Sequence, residues 1–183
     1  MTVGIRDATA ADIPAVLGVV EDAYRGRSGV RGWTTEEGLV REDRTSATEV
    51  RALLADPRSQ LLVAVTDERV VGCCAVHPLD DEPDSPVLEF GLFAVDPVRQ
   101  AGGVGGRLMD AAISWARVQG APALRLRVLE GRPELEAWYA RRGFAPTGRL
   151  VPFAGRPGTL VVAGTRMVEM ERPLQDASVD SRA

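Results

Sequence analysis

The 183-residue chain contains no lysine and no asparagine, so all 22 of its basic side chains are arginine. Without lysine there is no Schiff-base nucleophile, which excludes ordinary pyridoxal-phosphate chemistry. The Walker phosphate loop is excluded too, because its lysine must reach the terminal phosphates. Without asparagine there is no N-glycosylation acceptor. Soft ligands are almost as scarce: two adjacent cysteines, Cys73 and Cys74, and a single histidine, His77. A metal site needs three or four converging ligands, so no metal is expected. On a strand, Cys73 and His77 would share a face about 13 Å apart, at roughly 3.3 Å per residue, too far for a thiolate–imidazole nucleophile. The cysteines read instead as buried strand residues, and neighbours in sequence make a poor structural disulfide, in keeping with a reducing compartment. The opening MTVGIRDATAADIP lacks a charged-then-apolar leader, and the apolar run at 61–65 is far short of a membrane span. A cytoplasmic protein without a membrane partner is expected. The net charge of -4 also argues against a nucleic-acid partner.

What is present fits one ordinary domain, since 45% hydrophobic residues over this length can build a single core. A strand is predicted at 3–7, followed by a helix capped by Thr9 or Asp12, with Ile13, Val16, Leu17, Val20 and Tyr24 at helical spacing. Residues 25–45 read as irregular, with a short helix over 35–41. A helix at 48–55 stops before Asp56-Pro57. Strands at 60–66 and 69–77 suggest a hairpin, and an acidic, proline-bearing connection at 78–86 leads to a strand at 87–95. A glycine cluster at 101–106 opens a helix whose face carries Val104, Leu108, Ala111 and Trp115. Residues 123–129 alternate Leu124, Leu126 and Val128 against Arg125 and Arg127, a strand with one face on the core. A helix runs from Pro133 to Gly143, and strands follow at 144–152 and 160–171. The sequence predicts a single domain over 1–172 and a disordered tail over 173–183, with residues 176–183 mostly polar.

The segment FGLFAVDPVRQAGGVGGRL, residues 90–108, carries the chemistry. A strand enters a glycine-rich turn and the turn enters a helix. Amides at a helix start are unpaired and the helix dipole adds positive potential, so the place suits an anion. Glycines let a bulky phosphate approach without a Cβ in the way. A cradle of backbone rather than side-chain charge is therefore expected; the alternative is a turn with tight helix packing. The dinucleotide fingerprint fails, because its third glycine position falls on Leu108. What remains is Gln100-x-x-Gly103-x-Gly105 after Val95-Asp96-Pro97.

With VDPVRQAGGVGGRLM and the downstream RPELEAWYARRGF, the chain resembles the GNAT superfamily of N-acetyltransferases, from IRDAT through MERPL. The resemblance implies an α/β (α+β) fold with a mixed, mostly antiparallel sheet of about seven strands flanked by helices. It implies acetyl-coenzyme A as co-substrate, its pyrophosphate held by the amides of Ala101, Gly102, Gly103, Val104, Gly105 and Gly106. Its pantetheine arm would lie along the backbone of Phe93, Ala94 and Val95. Two departures stand out: Ala101 replaces a frequent glycine, and Arg132 stands where many members carry a cofactor-contacting asparagine.

Acyl transfer needs a neutral amine, hence a base or water relay. By the resemblance that base is Glu89, on a strand where alternation would put 89, 91, 93 and 95 on one face. The alternative is a solvated carboxylate or one paired with arginine. Tyr139 matches the family's acid for the leaving thiolate, the alternative being an amphipathic packing tyrosine beside Leu135. A backbone N–H near Val95 is expected to stabilise the oxyanion, at a strand bulge that the sequence cannot reveal. Trp138 reads as core. The segments 25–45 and 150–160 would wall the acceptor side, with Trp33 and Glu36 (and Glu37) suited to a cationic amine; the alternative is a capped, solvated helix start. The reading is thus an acetyl-coenzyme A-dependent transferase acting on an amine acceptor by direct attack, and a non-catalytic acyl-coenzyme A-binding module is the alternative. A homodimer through terminal strands is compatible with such a sheet.

Overall fold

A computed structural model describes residues 3–25, 45–67, 69–153, 164 and 166–175. The chain runs β1 (Gly4–Asp7), α1 (Ile13–Arg25), α2 (Ala47–Ala55), β2 (Gln60–Thr66), β3 (Arg69–Pro78), β4 (Leu88–Val95), α3 (Val104–Val118), β5 (Ala123–Leu129), α4 (Pro133–Ala140), β6 (Ala145–Pro152) and β7 (Arg166–Pro173). One seven-stranded sheet has the order β1-β2-β3-β4-β5-β7-β6. Every neighbouring pair is antiparallel except β4 and β5, which are parallel. The expected mixed sheet with flanking helices is therefore the fold. Among the described residues no helix is long and apolar enough to cross a membrane.

The central strands β2, β3 and β4 bury both faces. Leu62, Cys74, Val76, Phe90, Leu124, Leu126, Val128 and Met170 pack with Leu108, Met109, Ala112 and Ile113 of α3, and Tyr139 and Phe144 close that layer. Leu61, Val63, Cys73, Ala75 and Ala94 face the other way, onto Ile13, Val16 and Val20 of α1 and Val50 of α2. Period-2 alternation in the strands and 3.6-residue periodicity in the helices produce this sandwich of two apolar layers.

Local chemistry fixes the helix starts. Helix α2 begins at Ala47, one residue before the sequence expectation, because Ser46 and Glu49 form a reciprocal capping box. Before α1, the Asp12 carboxylate accepts from the Thr9 N–H at 2.8 Å and from both Arg6 terminal nitrogens at 2.8 and 2.7 Å. The Arg6 hydrogen bonds hold the Asp12 carboxyl far below the usual carboxylate range, against the opposing effect of burial. A depressed folded-state value means that this stabilisation is present above the unfolded carboxyl's titration and lost as pH falls through it. Asp12→Asn is expected to destabilise the protein by about 1–2 kcal/mol at pH 7, with the difference from wild type shrinking below about pH 4, as urea melts at several pH values would show.

Past residue 172, Leu174 is buried, its N–H donates to the Pro122 carbonyl at 2.8 Å, and its carbonyl accepts from Arg117 Nε at 3.1 Å. The folded part thus continues beyond the point where a tail was expected. Residues 176–183, the expected helix at 35–41, and Trp33, Glu36 and Glu37 lie outside the described residues.

Candidate active site

The sheet opens in its middle. Strands β4 and β5 are paired only at Leu88–Leu124 and Glu89–Arg125, so the rest of β4 has a gap where β5 would continue. At the mouth of that gap a 3₁₀ turn (Pro97–Gly102) carries the chain to α3, and Gly103 at φ +74° is the residue before the helix. Only glycine adopts that left-handed backbone without strain. Gln100, the first residue of the glycine pattern, ties the turn back to the strand: its Nε2 donates to the Val95 carbonyl at 3.2 Å. Gly105 lies against the strand, and a Cβ there would stand 3.0 Å from Phe93 Cζ and 3.5 Å from Trp138 Cζ2. The cleft beside it is lined by Phe93, Val95, Gln100, Gly103, Gly105, Gly106, Trp138 and Arg142.

Two of these lining residues add to the sequence reading. Trp138 packs against the core, as expected, and its partly buried ring also walls the cleft. Arg142 stacks its guanidinium 3.4 Å from the centre of the Trp138 ring, and its Nη1 donates to the Trp138 carbonyl at 3.1 Å. Burial, followed by the neighbouring Arg141, pushes the Arg142 guanidinium below its ordinary value, though an arginine remains charged. The rim of the cleft thus carries an arginine side chain beside the backbone of the glycine turn. The spacing Trp138 to Arg142, one helical turn, was the available signal. Arg132 does not stand idle in place of an asparagine: its Nε donates to Glu134 at 2.5 Å.

Strand β4 does not alternate regularly. Cys73 pairs with Ala94 and Ala75 with Gly91, so β4 carries one residue more than β3 across this step. The extra residue bends the strand at Leu92, whose φ is +42°. Side chains hold the bulge: Tyr24 Oη donates to the Phe93 carbonyl at 2.8 Å, and Cys73 Sγ donates to the Leu92 carbonyl at 3.5 Å. The bulge reverses the parity of the strand. Leu88 and Phe90 lie on the α3 side before it, and Phe93 and Val95 lie on that side after it. Glu89 therefore sits on the α1 side, opposite Phe93 and Val95, and the expected common face of 89, 91, 93 and 95 does not exist. Beyond the bulge, Asp96 N–H donates to the Val71 carbonyl at 2.9 Å. Val95 and Gly72 then form a non-hydrogen-bonded pair with respect to β3, which directs the Val95 N–H into the gap.

The two candidate catalytic side chains flank this gap from opposite sides. Tyr139, on α4, is buried on the α3 side among Phe93, Trp138 and Phe144, with ring centroids 5.0 to 6.5 Å away. The Glu89 side chain is 15% exposed, and its carboxylate lies 3.8 Å from Arg127 Nη1. Desolvation pushes the Glu89 carboxyl above its ordinary value, while Arg127 and His77 pull it down. His77 faces it directly across β3 and β4.

The arginines expected on the outer face of β5 are not solvated. Arg125 is 9% exposed and bonds Glu171 at 2.9 and 3.0 Å, while Arg127 Nη2 donates to both oxygens of Asp81, at 2.8 and 2.7 Å. Glu169, 1% exposed, accepts from Thr147 Oγ1 at 2.9 Å. Glu82 receives Arg125 and Arg149 at 3.3 and 3.2 Å. This network fastens the acidic connection at 79–87 over the C-terminal half of the sheet, next to Glu89. Burial pushes the Cys73 thiol up to about 12, which removes it from nucleophilic chemistry.

A mixed sheet split at its one parallel pair, with a glycine-opened helix at the mouth of the split, is the architecture of the acyl-coenzyme A N-acyltransferases. Residues 22–144 match the Acetyltransferase (GNAT) family, and the chain belongs to that family of acyltransferases. An amino-acid acetyltransferase from Pseudomonas putida strain KT2440 is 29% identical over 144 residues, 79% of this chain; the chain spans only 28% of that relative's length. The IAA acetyltransferase of Azospirillum brasilense is 32% identical over 121 residues, covering 66% of this chain and 72% of the relative. Among solved structures, an N-acetyltransferase from Staphylococcus aureus Mu50 superposes with a TM-score of 0.73 at 16% identity, over 96% of this chain and all of that one. The yncA protein of Salmonella typhimurium, solved with its cofactor acetyl-CoA, does so with 0.68 at 19% identity over the full length of both.

Proposed function

We propose that the protein transfers an acetyl group from acetyl-coenzyme A to a primary amine, by direct attack of the amine on the thioester. The observation that carries this reading is the β4–β5 gap with a cradle at its mouth that a Cβ at Gly105 would obstruct. The amides of residues 101–106 hold the pyrophosphate, with Arg142 supplying charge at the edge. The pantetheine arm runs along β4 at Phe93, Ala94 and Val95, where Gln100 and Tyr24 already occupy the Val95 and Phe93 carbonyls and leave the Val95 N–H directed inward. That N–H is the oxyanion donor. Glu89 takes the amine's proton from the α1 side, and Tyr139 gives one to the leaving sulfur from the α3 side. Acetyl-coenzyme A itself supplies the activated acyl group. The P. putida relative is named for amino-acid acetylation, which makes α-amines the first acceptors to try.

Two measurements test this. Saturating acetyl-coenzyme A, at about 100 times its dissociation constant, adds roughly 2.7 kcal/mol of stability. For a chain of this size that raises Tm by roughly 5 to 11 °C, and NAD or ATP at the same concentration does not. Thiol release from acetyl-coenzyme A should then depend on one member of a panel of the amino acids and simple primary amines. A shift with NAD, or none, would sink the cradle assignment. A shift without thiol release across the panel would leave an acyl-coenzyme A-binding module.

A further inference from the structure

His77 is the only histidine in the chain, and the reaction as assigned above makes no use of it. It lies on β3 directly opposite Glu89 on β4, an antiparallel pair whose Cβ atoms stand about 4.5–5.5 Å apart. Both side chains are on the α1 face of the sheet, since Cys73 and Ala75 precede His77 on that face and Glu89 alternates with Leu88 and Phe90. Its tautomer follows from its neighbour. Nδ1 is 2.8 Å from the Pro78 carbonyl oxygen, which can only accept, so Nδ1 carries the proton and Nε2 of the neutral ring keeps its lone pair. Nε2 faces β4 at Gly91, where a Cβ would stand only 3.3 Å away. Glycine at 91 therefore keeps the space beside this lone pair open. The residue is half-buried.

The other groups around the pair are accounted for. Arg127 reaches Glu89 from β5, and Asp80 and Asp81 bear on it from the β3–β4 connection. Helix α1 packs over β3 and β4 with Ile13, Val16, Val20 and Ala23, and its Tyr24 hydroxyl is bonded to the Phe93 carbonyl. Arg127 and Asp81 pair with each other. Of the groups named around Glu89, the His77 imidazole is the one nitrogen base whose neutral form keeps a lone pair.

We propose that His77 is the proton relay behind Glu89, carrying the acceptor's proton from the carboxyl group to solvent. The inference rests on the reading of Glu89 as the base. The acceptor ammonium gives its proton to the Glu89 carboxylate, leaving a neutral amine and a carboxylic acid. The acid passes the proton to His77 Nε2, which restores the carboxylate and makes an imidazolium. The Nε2–H bond of the imidazolium then breaks as that proton passes to water, and the ring returns to its neutral Nδ1–H form. No electron transfer or further reactant is needed.

The test uses the full-length, untagged protein, in which ¹⁵N-histidine labelling yields a single imidazole. Its NMR spectrum should show the Nδ1–H tautomer in the neutral ring; the Nε2–H tautomer would overturn the proposal whether or not any variant folds. In parallel, kcat/KM for thiol release from acetyl-coenzyme A is followed against pH, using the panel amine that turns over fastest. His77→Gln is expected to lower the plateau about tenfold, with the acetyl-coenzyme A KM within twofold of wild type. The acid limb should move to higher pH, because the variant loses the pull by which His77 holds the Glu89 carboxyl down. A lower plateau with an unmoved limb would make His77 merely structural, and an unchanged profile would remove it from the reaction. Wild-type turnover retained in Glu89→Gln would instead refute Glu89 as the base, a separate outcome.

Discussion

Glu89→Gln is expected to lower kcat by about 100-fold or more at neutral pH while leaving the acetyl-coenzyme A dissociation constant within about twofold. The amide keeps the shape of the side chain and its place on the α1 face of β4, but it cannot accept the proton that the attacking amine must lose. Cofactor affinity should survive because the cradle and the aromatic wall lie on the other face of the strand, beyond the bulge. Burial raises the Glu89 carboxyl, an effect only partly offset by Arg127 and His77. Wild-type activity should therefore fall off on the acid side at a pH above the ordinary carboxylate range, and the Glu89→Gln residual rate should lack that limb. The same shift has a consequence for stability. A carboxyl whose folded-state value is raised binds its proton more tightly in the folded protein, so stability declines as pH rises from the unfolded value through the folded one. The glutamine variant escapes that decline, and its Tm at pH 8 should equal or exceed wild type while its turnover collapses. Loss of activity accompanied by a lower Tm would point to disruption of the Arg127–Asp81 network instead.

Much of the architecture is legible because apolar periodicity and chain punctuation act locally. The alternation Leu124, Leu126, Val128 fixes which face of β5 meets α3, and Pro133 and Gly143 frame α4. Gly103 and Gly105 could be read as a cradle for the same reason: a positive φ and a close backbone approach are demands made at single positions. What stayed hidden depends on the third dimension. The bulge at Leu92 adds one residue to β4 without any change in composition, and it moves Glu89 to the face opposite Phe93 and Val95. Arg125 and Arg127 alternate as solvated residues do, yet Asp81, Glu82, Glu169 and Glu171 arrive from two distant segments to bury them. Tyr24 carries no visible sign of reaching 69 residues along the chain to the Phe93 carbonyl. On its own strand His77 offers only Cys73 as a neighbour to consider, whereas the residue opposite it, Glu89, lies on the next strand.

Among the glycines, a graded response is expected that separates shape from sequence pattern. Gly105→Val should weaken acetyl-coenzyme A binding by at least about 100-fold, a change of roughly 2.7 kcal/mol, and abolish the ligand-induced rise in Tm. The first added carbon alone would stand 3.0 Å from Phe93 Cζ, 3.5 Å from Trp138 Cζ2 and 3.7 Å from Val95 Cγ2. Two further methyl groups must then enter the cleft that these residues line, where a phosphate would approach the helix amides. Gly105→Ala should show a smaller loss, because the ring tip of Phe93 needs to give only a few tenths of an ångström. Gly102→Ala is the control. A Cβ there meets nothing within 4 Å and the residue is not in the left-handed region, so its affinity should stay within about threefold of wild type. Calorimetric titration of the three variants, with the ligand-free Tm of each recorded alongside, distinguishes the possibilities. If Gly102→Ala and Gly105→Val weaken binding equally, the anion is held by general helix-start charge and not by a shaped cleft. If Gly105→Val binds as wild type does, acetyl-coenzyme A does not pass between α3 and β4, and the assignment of the cradle fails with it.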